Sequence, residues 1–283
     1  MLRADPAAPT GRLTCYPGFT SRYVAPREVD VWVPPGYGES PSERYPVIYV
    51  EDGQNLFNPK TSYTGHTWEI AGAMDRLIAS GQTRGAIVVG IWNSGLTRSA
   101  DYIPAKAVSV SDVAKVANAY ATQSHPIVSD LYLKFLVDEL KPFVDRTYRT
   151  KPDEAHTFAM GSSIGALISL YALAEYPSVF GAAACLSTHW LAGDGAMITY
   201  LETHLPSAAD HRIYFDHGTK TLDAQYGPDQ ERMDAVMRSH GYRPGASWET
   251  RVFPGADHSE VSWSKRMEIP LAFLLKAGGR TTR

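Results

Sequence analysis

The chain has 283 residues with 44% hydrophobic and 20% charged content, enough to bury one large core, and its length forces no second domain. A formal net charge of −3 leaves no electrostatic footprint for nucleic acid or for an anionic membrane surface. No stretch approaches the ~20 apolar residues of a membrane-spanning helix.

Residues 1–11 lack the apolar h-region of a signal peptide, so a cytoplasmic location is expected, or a periplasmic or secreted one if a leader has been removed. The cysteines are Cys15 and Cys185, whose spacing matches neither a zinc site nor a redox motif. Cys185, in an Ala-rich apolar run, reads as a small core residue. Whether the two pair, and the oligomeric state, stay open.

Residues 1–26, rich in Pro, Gly and Ala at their start, read as a loose lead-in to one catalytic domain over 27–279. Arg27–Val33 alternates as a strand does and stops at Pro34-Pro35-Gly36. The β-branched and aromatic run 45–50 suits a central strand buried on both faces, and it ends in the sharp loop Glu51-Asp52-Gly53-Gln54-Asn55. Helical spacing over 67–80 places Trp68, Ile70, Ala71, Met74, Leu77 and Ile78 on one face, with Gly81 as the stop. A second buried strand spans 86–91.

The connection 96–129 is long and weakly periodic, with a short helix expected at 112–120, and is read as a cap-like insertion. An amphipathic helix follows at 130–148, with Pro142 as a kink point. Strands are expected at 180–187, 212–216 and Trp248–Val252, and helices at 193–205, 228–240 and 261–275. Strands and helices alternate from about residue 47 onward, which predicts an α/β protein. Its mostly parallel, doubly wound sheet carries helices on both faces, with ligands at the carboxyl ends of the strands.

The segment Thr157-Phe-Ala-Met-Gly-Ser-Ser-Ile-Gly165 is a buried strand running into Gly-x-Ser-x-Gly, with a helix-forming run behind it. That order is a nucleophile elbow, in which a sharp turn holds Ser163 exposed at the head of a helix. A serine hydroxyl needs a base to take its proton and a carboxylate to orient that base.

Of the nine histidines, His66, His125, His156, His204 and His240 precede the elbow or lie at polar helix ends. His189, His211 and His217 come too soon after Ser163 to leave room for an acid-bearing strand. His258 remains, in a Gly-containing loop between the last strand and the last helix. The acid should follow the strand at 212–216. Asp223 is preferred because it lies beyond the strand end, and Asp216 is the alternative, with a role in ordering the turn.

An oxyanion would need two fixed N–H donors, and the amides of Ile164 and Gln54 are the candidates. Trp92, Trp190 and Trp263 fall in loops at one sheet edge and could wall a substrate pocket. No histidine pair has metal-ligand spacing on a helix, and neither a metal nor an organic cofactor is expected.

The segments Tyr45-Pro-Val-Ile-Tyr-Val-Glu-Asp-Gly-Gln-Asn-Leu-Phe57, Val88-Val-Gly-Ile-Trp-Asn93, Met160-Gly-Ser-Ser-Ile-Gly165, 214–223 and Gly255-Ala-Asp-His-Ser-Glu260 together resemble an esterase family of α/β hydrolases. That group is similar to esterase D, the enterochelin esterases and the feruloyl and acetyl-xylan carbohydrate esterases. The resemblance implies the α/β-hydrolase fold and cofactor-free hydrolysis of small-molecule or carbohydrate esters by Ser163, Asp223 and His258. It also assigns Asp52-Gly53-Gln54 as oxyanion loop. Ala166 stands where a second elbow glycine is common, and Lys220 where many members carry an acid. Two other readings share these residues: an acyltransferase with the same triad, and a non-catalytic binding protein on a hydrolase fold.

Overall fold

Side chains in the run 47–50 alternate between two cores. Val47 and Tyr49 pack into one apolar cluster, Ile48 and Val50 into the other, as the period of two in a strand requires. The computed structural model describes residues 11–39, 41–108 and 125–276.

The strands are β1 (Arg12–Phe19), β2 (Arg27–Val33), β3 (Val47–Glu51), β4 (Ile87–Ile91), β5 (Thr157–Ser162), β6 (Ala182–Leu186), β7 (Arg212–His217) and β8 (Trp248–Val252). They form one sheet in the order β1-β2-β4-β3-β5-β6-β7-β8. β1 and β2 pair antiparallel, β2 also pairs antiparallel with β4, and every pairing from β4 to β8 is parallel.

The helices are α1 (Ile70–Ala79), α2 (Arg98–Tyr102), α3 (129–147), α4 (Ile164–Glu175), α5 (Ala196–His204), α6 (Gly227–Ser239), α7 (Glu260–Ser264) and α8 (Glu268–Leu275). Residues of α1, α7 and α8 share the cluster on one face of the sheet, and residues of α3 to α6 share the cluster on the other. α4 is buried along almost its whole length, which is why its sequence is apolar on every side. The mostly parallel, doubly wound sheet is the architecture expected of the sequence.

Three local expectations need correction. Residues 12–19 are not part of a loose lead-in but form the edge strand β1, with a register irregularity between Tyr16 and Phe19. An edge strand is fixed by its backbone pairing and needs no strong apolar pattern, so Pro17 and Gly18 disguised it. Tyr16 holds it to α3, edge-on to Phe143 at 5.0 Å and hydrogen-bonded to the Tyr148 hydroxyl at 2.7 Å.

Next, α1 starts at Ile70, because Glu69 has φ +53° and Trp68 donates its N–H to the Asn55 carbonyl in the preceding loop. Residues 129–147 run through Pro142, with a π-helical turn at Phe135–Leu140 directly before it. Finally, the last helical stretch is two helices, interrupted around Arg266. The helix expected at 112–120 lies outside the described residues, as do residues 109–124 of the 96–129 insertion, but the insertion opens with α2. No helix among the described residues is long and apolar enough to cross a membrane.

Candidate active site

β5 ends at Ser162 and α4 begins at Ile164, leaving Ser163 alone in the turn with φ 58° and ψ −128°. That is a backbone conformation costing an L-residue on the order of 1–3 kcal/mol, held by its surroundings. Gly161 is required here, because a β-carbon on it would lie 2.3 Å from the Gly165 carbonyl oxygen. The Ser163 amide donates to the Leu186 carbonyl (3.0 Å), and the His189 amide donates to the Ser163 carbonyl (3.3 Å), so the loop after β6 pins the elbow. Ile164 is the first residue of α4, so its N–H has no acceptor within the helix and lies at the positive end of the helix dipole.

The loops after β7 and β8 are laced together. The amides of Thr219 and Lys220 both donate to the Ala256 carbonyl at 2.9 Å, and the His258 amide donates to Thr221 Oγ1 at 2.9 Å. Their meeting brings His258 Nδ1 to 2.6 Å from Asp223 Oδ1. The other oxygen of Asp223 accepts from the Gly218 amide (2.6 Å) and the Ser187 hydroxyl (2.7 Å). Burial alone would raise the Asp223 pKa, but the hydrogen bonds from His258, Ser187 and Gly218 outweigh it and hold the carboxyl below its usual range. Asp223 is therefore an anion beside an imidazole whose Nδ1 faces it, which leaves Nε2 for other work.

Asp216, the alternative acid, has a different partner. It is wholly buried and binds Arg266 through Nη2 at 2.8 Å and Nε at 3.1 Å, and it accepts from the Tyr214 hydroxyl (3.1 Å) and the Ser187 amide (3.3 Å). None of these partners lies in the turn after β7 that Asp216 was expected to order, and its charge is instead matched by Arg266. Arg266 Nη2 also reaches the Ser187 hydroxyl oxygen (3.1 Å), and so does Trp263 Nε1 (2.9 Å). One serine oxygen therefore joins the Asp216–Arg266 pair to Asp223.

The three tryptophans do not line up as a pocket wall. Trp190 is 1% exposed, packs on Phe215 and donates its indole N–H to Gln230, which makes it core. Trp263 is also buried and lies edge-on to the His258 ring at 5.1 Å, and Tyr226 is edge-on to the same ring at 5.9 Å. Trp92 is half-buried and donates to Asp30 at 2.8 Å.

The loop after β3 approaches the elbow from the other side. A β-carbon on Gly165 would lie 3.2 Å from Asp52 Oδ2. Asp52 has φ 57° and ψ 45°, and its carboxylate accepts from Arg98 Nε (2.7 Å), Arg98 Nη2 (2.6 Å) and Asn93 Nδ2 (2.7 Å). Gln54 lies two residues on, its side-chain oxygen accepting from the Asn93 amide at 3.2 Å.

Sequence reasoning gave no role to Asn93, Arg98, Ser187 or Arg266: Asn93 closes one of the segments that carry the resemblance, and the other three sit in no motif. It also set His189 aside as a triad base, and this histidine lies buried beside the site. Burial, with the positive fields of His258 and Arg98, lowers its pKa to about 4, so it stays neutral.

Glu51 ends β3 directly before Asp52. Burial pushes it up to about 8, against hydrogen bonds from Tyr132 and Tyr102 that favour the anion. The folded state therefore holds this proton more tightly than the unfolded chain, whose ordinary value is 4.5. The resulting stabilisation is complete below the unfolded value and is lost as pH rises through the folded one. Glu51→Gln is expected to flatten the fall in thermal midpoint between about pH 5 and pH 9. An unchanged slope contradicts that. Asp216→Asn leaves Arg266 buried without its counter-ion and should cost about 3–5 kcal/mol in urea unfolding at neutral pH. A loss near zero would separate Asp216 from the brace described above.

The family model described as "Putative esterase" matches residues 21–273 of the chain. The uncharacterised protein YbbA of Bacillus subtilis is 24% identical over 194 residues, covering 69% of this chain and 68% of that protein. An endo-1,4-beta-xylanase/feruloyl esterase of Xylanibacter ruminicola is 28% identical over 254 residues, 87% of this chain but only 29% of that longer protein. A ferulic acid esterase of known structure superposes with a TM-score of 0.68 at 17% identity, covering 94% of this chain and 98% of the other, a likeness of fold. The chain belongs to this esterase family and is a carboxylic ester hydrolase of the α/β-hydrolase fold.

Proposed function

We propose that the protein hydrolyses its ester through an acyl-enzyme on Ser163, with His258 as base and Asp223 as its partner. The observation that carries this reading is the 2.6 Å contact between His258 Nδ1 and Asp223 Oδ1, across the strand ends from a serine held in an elbow. In the first half-reaction Ser163 Oγ attacks the ester carbonyl carbon and its proton passes to His258 Nε2. Asp223 accepts the Nδ1–H throughout and stabilises the imidazolium. The amides of Ile164 and Gln54 hold the oxyanion of the tetrahedral intermediate. Collapse of that intermediate breaks the bond to the alcohol, which leaves with the proton from Nε2. Water then repeats the sequence, releasing the acid and restoring the serine.

The proposed substrates are short-chain or phenolic esters, carried by a carbohydrate. The Xylanibacter relative, named an endo-1,4-beta-xylanase/feruloyl esterase, and the superposed ferulic acid esterase point to that class. The loops at the carboxyl edge of the sheet are consistent with it. Tyr63, Leu96 and Leu191 are 89%, 99% and 37% exposed, on loops after β3, β4 and β6, the strands around the one that bears the serine. Large apolar side chains left in water on the loops at this edge of the sheet suit an apolar or aromatic acyl group.

Ser163→Ala should lower kcat on p-nitrophenyl acetate by at least about four orders of magnitude while leaving the fold intact. Residual activity near wild type would remove the serine from the mechanism. In a panel of acetyl, longer acyl and feruloyl sugar esters, kcat/KM should favour acetyl or feruloyl esters. A preference for long-chain acyl glycerides would contradict the substrate class.

A further inference from the structure

The helix that opens the insertion, α2, places two of its side chains on the residue that opens the oxyanion loop. Arg98 grips the Asp52 carboxylate through two parallel bonds of 2.7 and 2.6 Å, and the Tyr102 hydroxyl, one turn later, lies 3.3 Å from the Asp52 amide. The Arg98 guanidinium lies over the Tyr102 ring, 5.3 Å from its centre. Burial works against the Arg98 charge, but the Asp52 carboxylate outweighs it and holds the guanidinium pKa above its usual value.

Asp52 is only 2% exposed and sits in the left-handed region at φ 57°, which a non-glycine residue keeps only when its surroundings impose it. The next residue has no latitude either, because a β-carbon on Gly53 would fall 2.4 Å from the Gly90 carbonyl carbon. Gln54 therefore takes its orientation from the position of Asp52. The same guanidinium reaches the elbow, with Nη2 3.9 Å from where a Gly165 β-carbon would stand.

We propose that Arg98 is a positioning residue: by clamping Asp52 it aims the Gln54 amide at the oxyanion. The inference rests on the acyl-enzyme reading above and goes beyond it by naming what orients that donor. A planar fork is needed for the two parallel bonds, so lysine does not substitute even though it preserves the charge. The clamp acts on the tetrahedral intermediate and not on the bound ester, so its loss falls on kcat.

The test compares Arg98→Lys and Arg98→Met with wild type on p-nitrophenyl acetate. Each is also assayed for inhibition by phenylboronic acid, which adds to the serine as a tetrahedral anion, and for thermal midpoint. Arg98→Lys keeps a cation beside Asp52 and so remains foldable if the methionine variant does not. The expected result is a fall in kcat of about 10- to 100-fold in Arg98→Lys, with KM within about threefold. Phenylboronic acid should bind more weakly by a similar factor. A wild-type kcat in Arg98→Lys overturns the proposal. So does a loss in kcat with unchanged boronate affinity, which would make the pair a structural bridge only. Active Ser163→Ala would sink the underlying serine reading, whereas inactive Ser163→Ala alongside fully active Arg98→Lys sinks this inference alone.

Discussion

The contact on which the site depends is the hydrogen bond between Asp223 and His258, and it is built from beneath. A carboxylate buried to this degree is expensive unless its lone pairs are filled. Here the Gly218 amide, the Ser187 hydroxyl and the imidazole fill them. Ser187 is in turn fixed by Trp263 and Arg266, and Arg266 by the buried Asp216. Trp263 and Tyr226 both pack edge-on to the imidazole. The acid therefore stays ionised and the histidine has little freedom to turn away from it, which is the preorganisation that general-base chemistry requires.

Parallel pairing explains why these residues converge. From β4 to β8 the strands run in one direction, so their carboxyl ends, and the loops that follow, all emerge on one edge. Asp52, Asn93, Ser163, Ser187, Asp223 and His258 each come from such a loop. The central strand β5 presents Ser163, β7 and β8 lead into the loops that carry Asp223 and His258, and β3 leads into the loop that carries Asp52 and Gln54.

What was legible in the sequence was local. The elbow is contiguous, so strand, serine, glycines and helix could be read from nine residues. His258 followed from its place between the last strand and the helix behind it, and Asp223 was preferred to Asp216 because it lies past the strand end, where a side chain can turn back. The brace was illegible because its partners are remote: Arg98 lies 46 positions from Asp52, Arg266 lies 50 from Asp216, and Ser187 lies 36 from Asp223. None has a pattern of its own, since a lone arginine or serine in a loop looks like solvated surface. β1 was hidden for a related reason, as backbone pairing at a sheet edge leaves little mark in side chains. Trp190 shows the converse error, in which residue type suggested a pocket wall and packing against Phe215 made it core.

The central claim is that the acyl group passes through Ser163. The measurement that reaches it most directly is acid quenching of the enzyme during turnover of p-nitrophenyl acetate, followed by peptide mass mapping. The account predicts an acetyl group on the peptide bearing Ser163, absent from a His258→Ala variant treated in the same way. Acetyl on another residue, or sustained turnover with no covalent adduct at any time point, would contradict it.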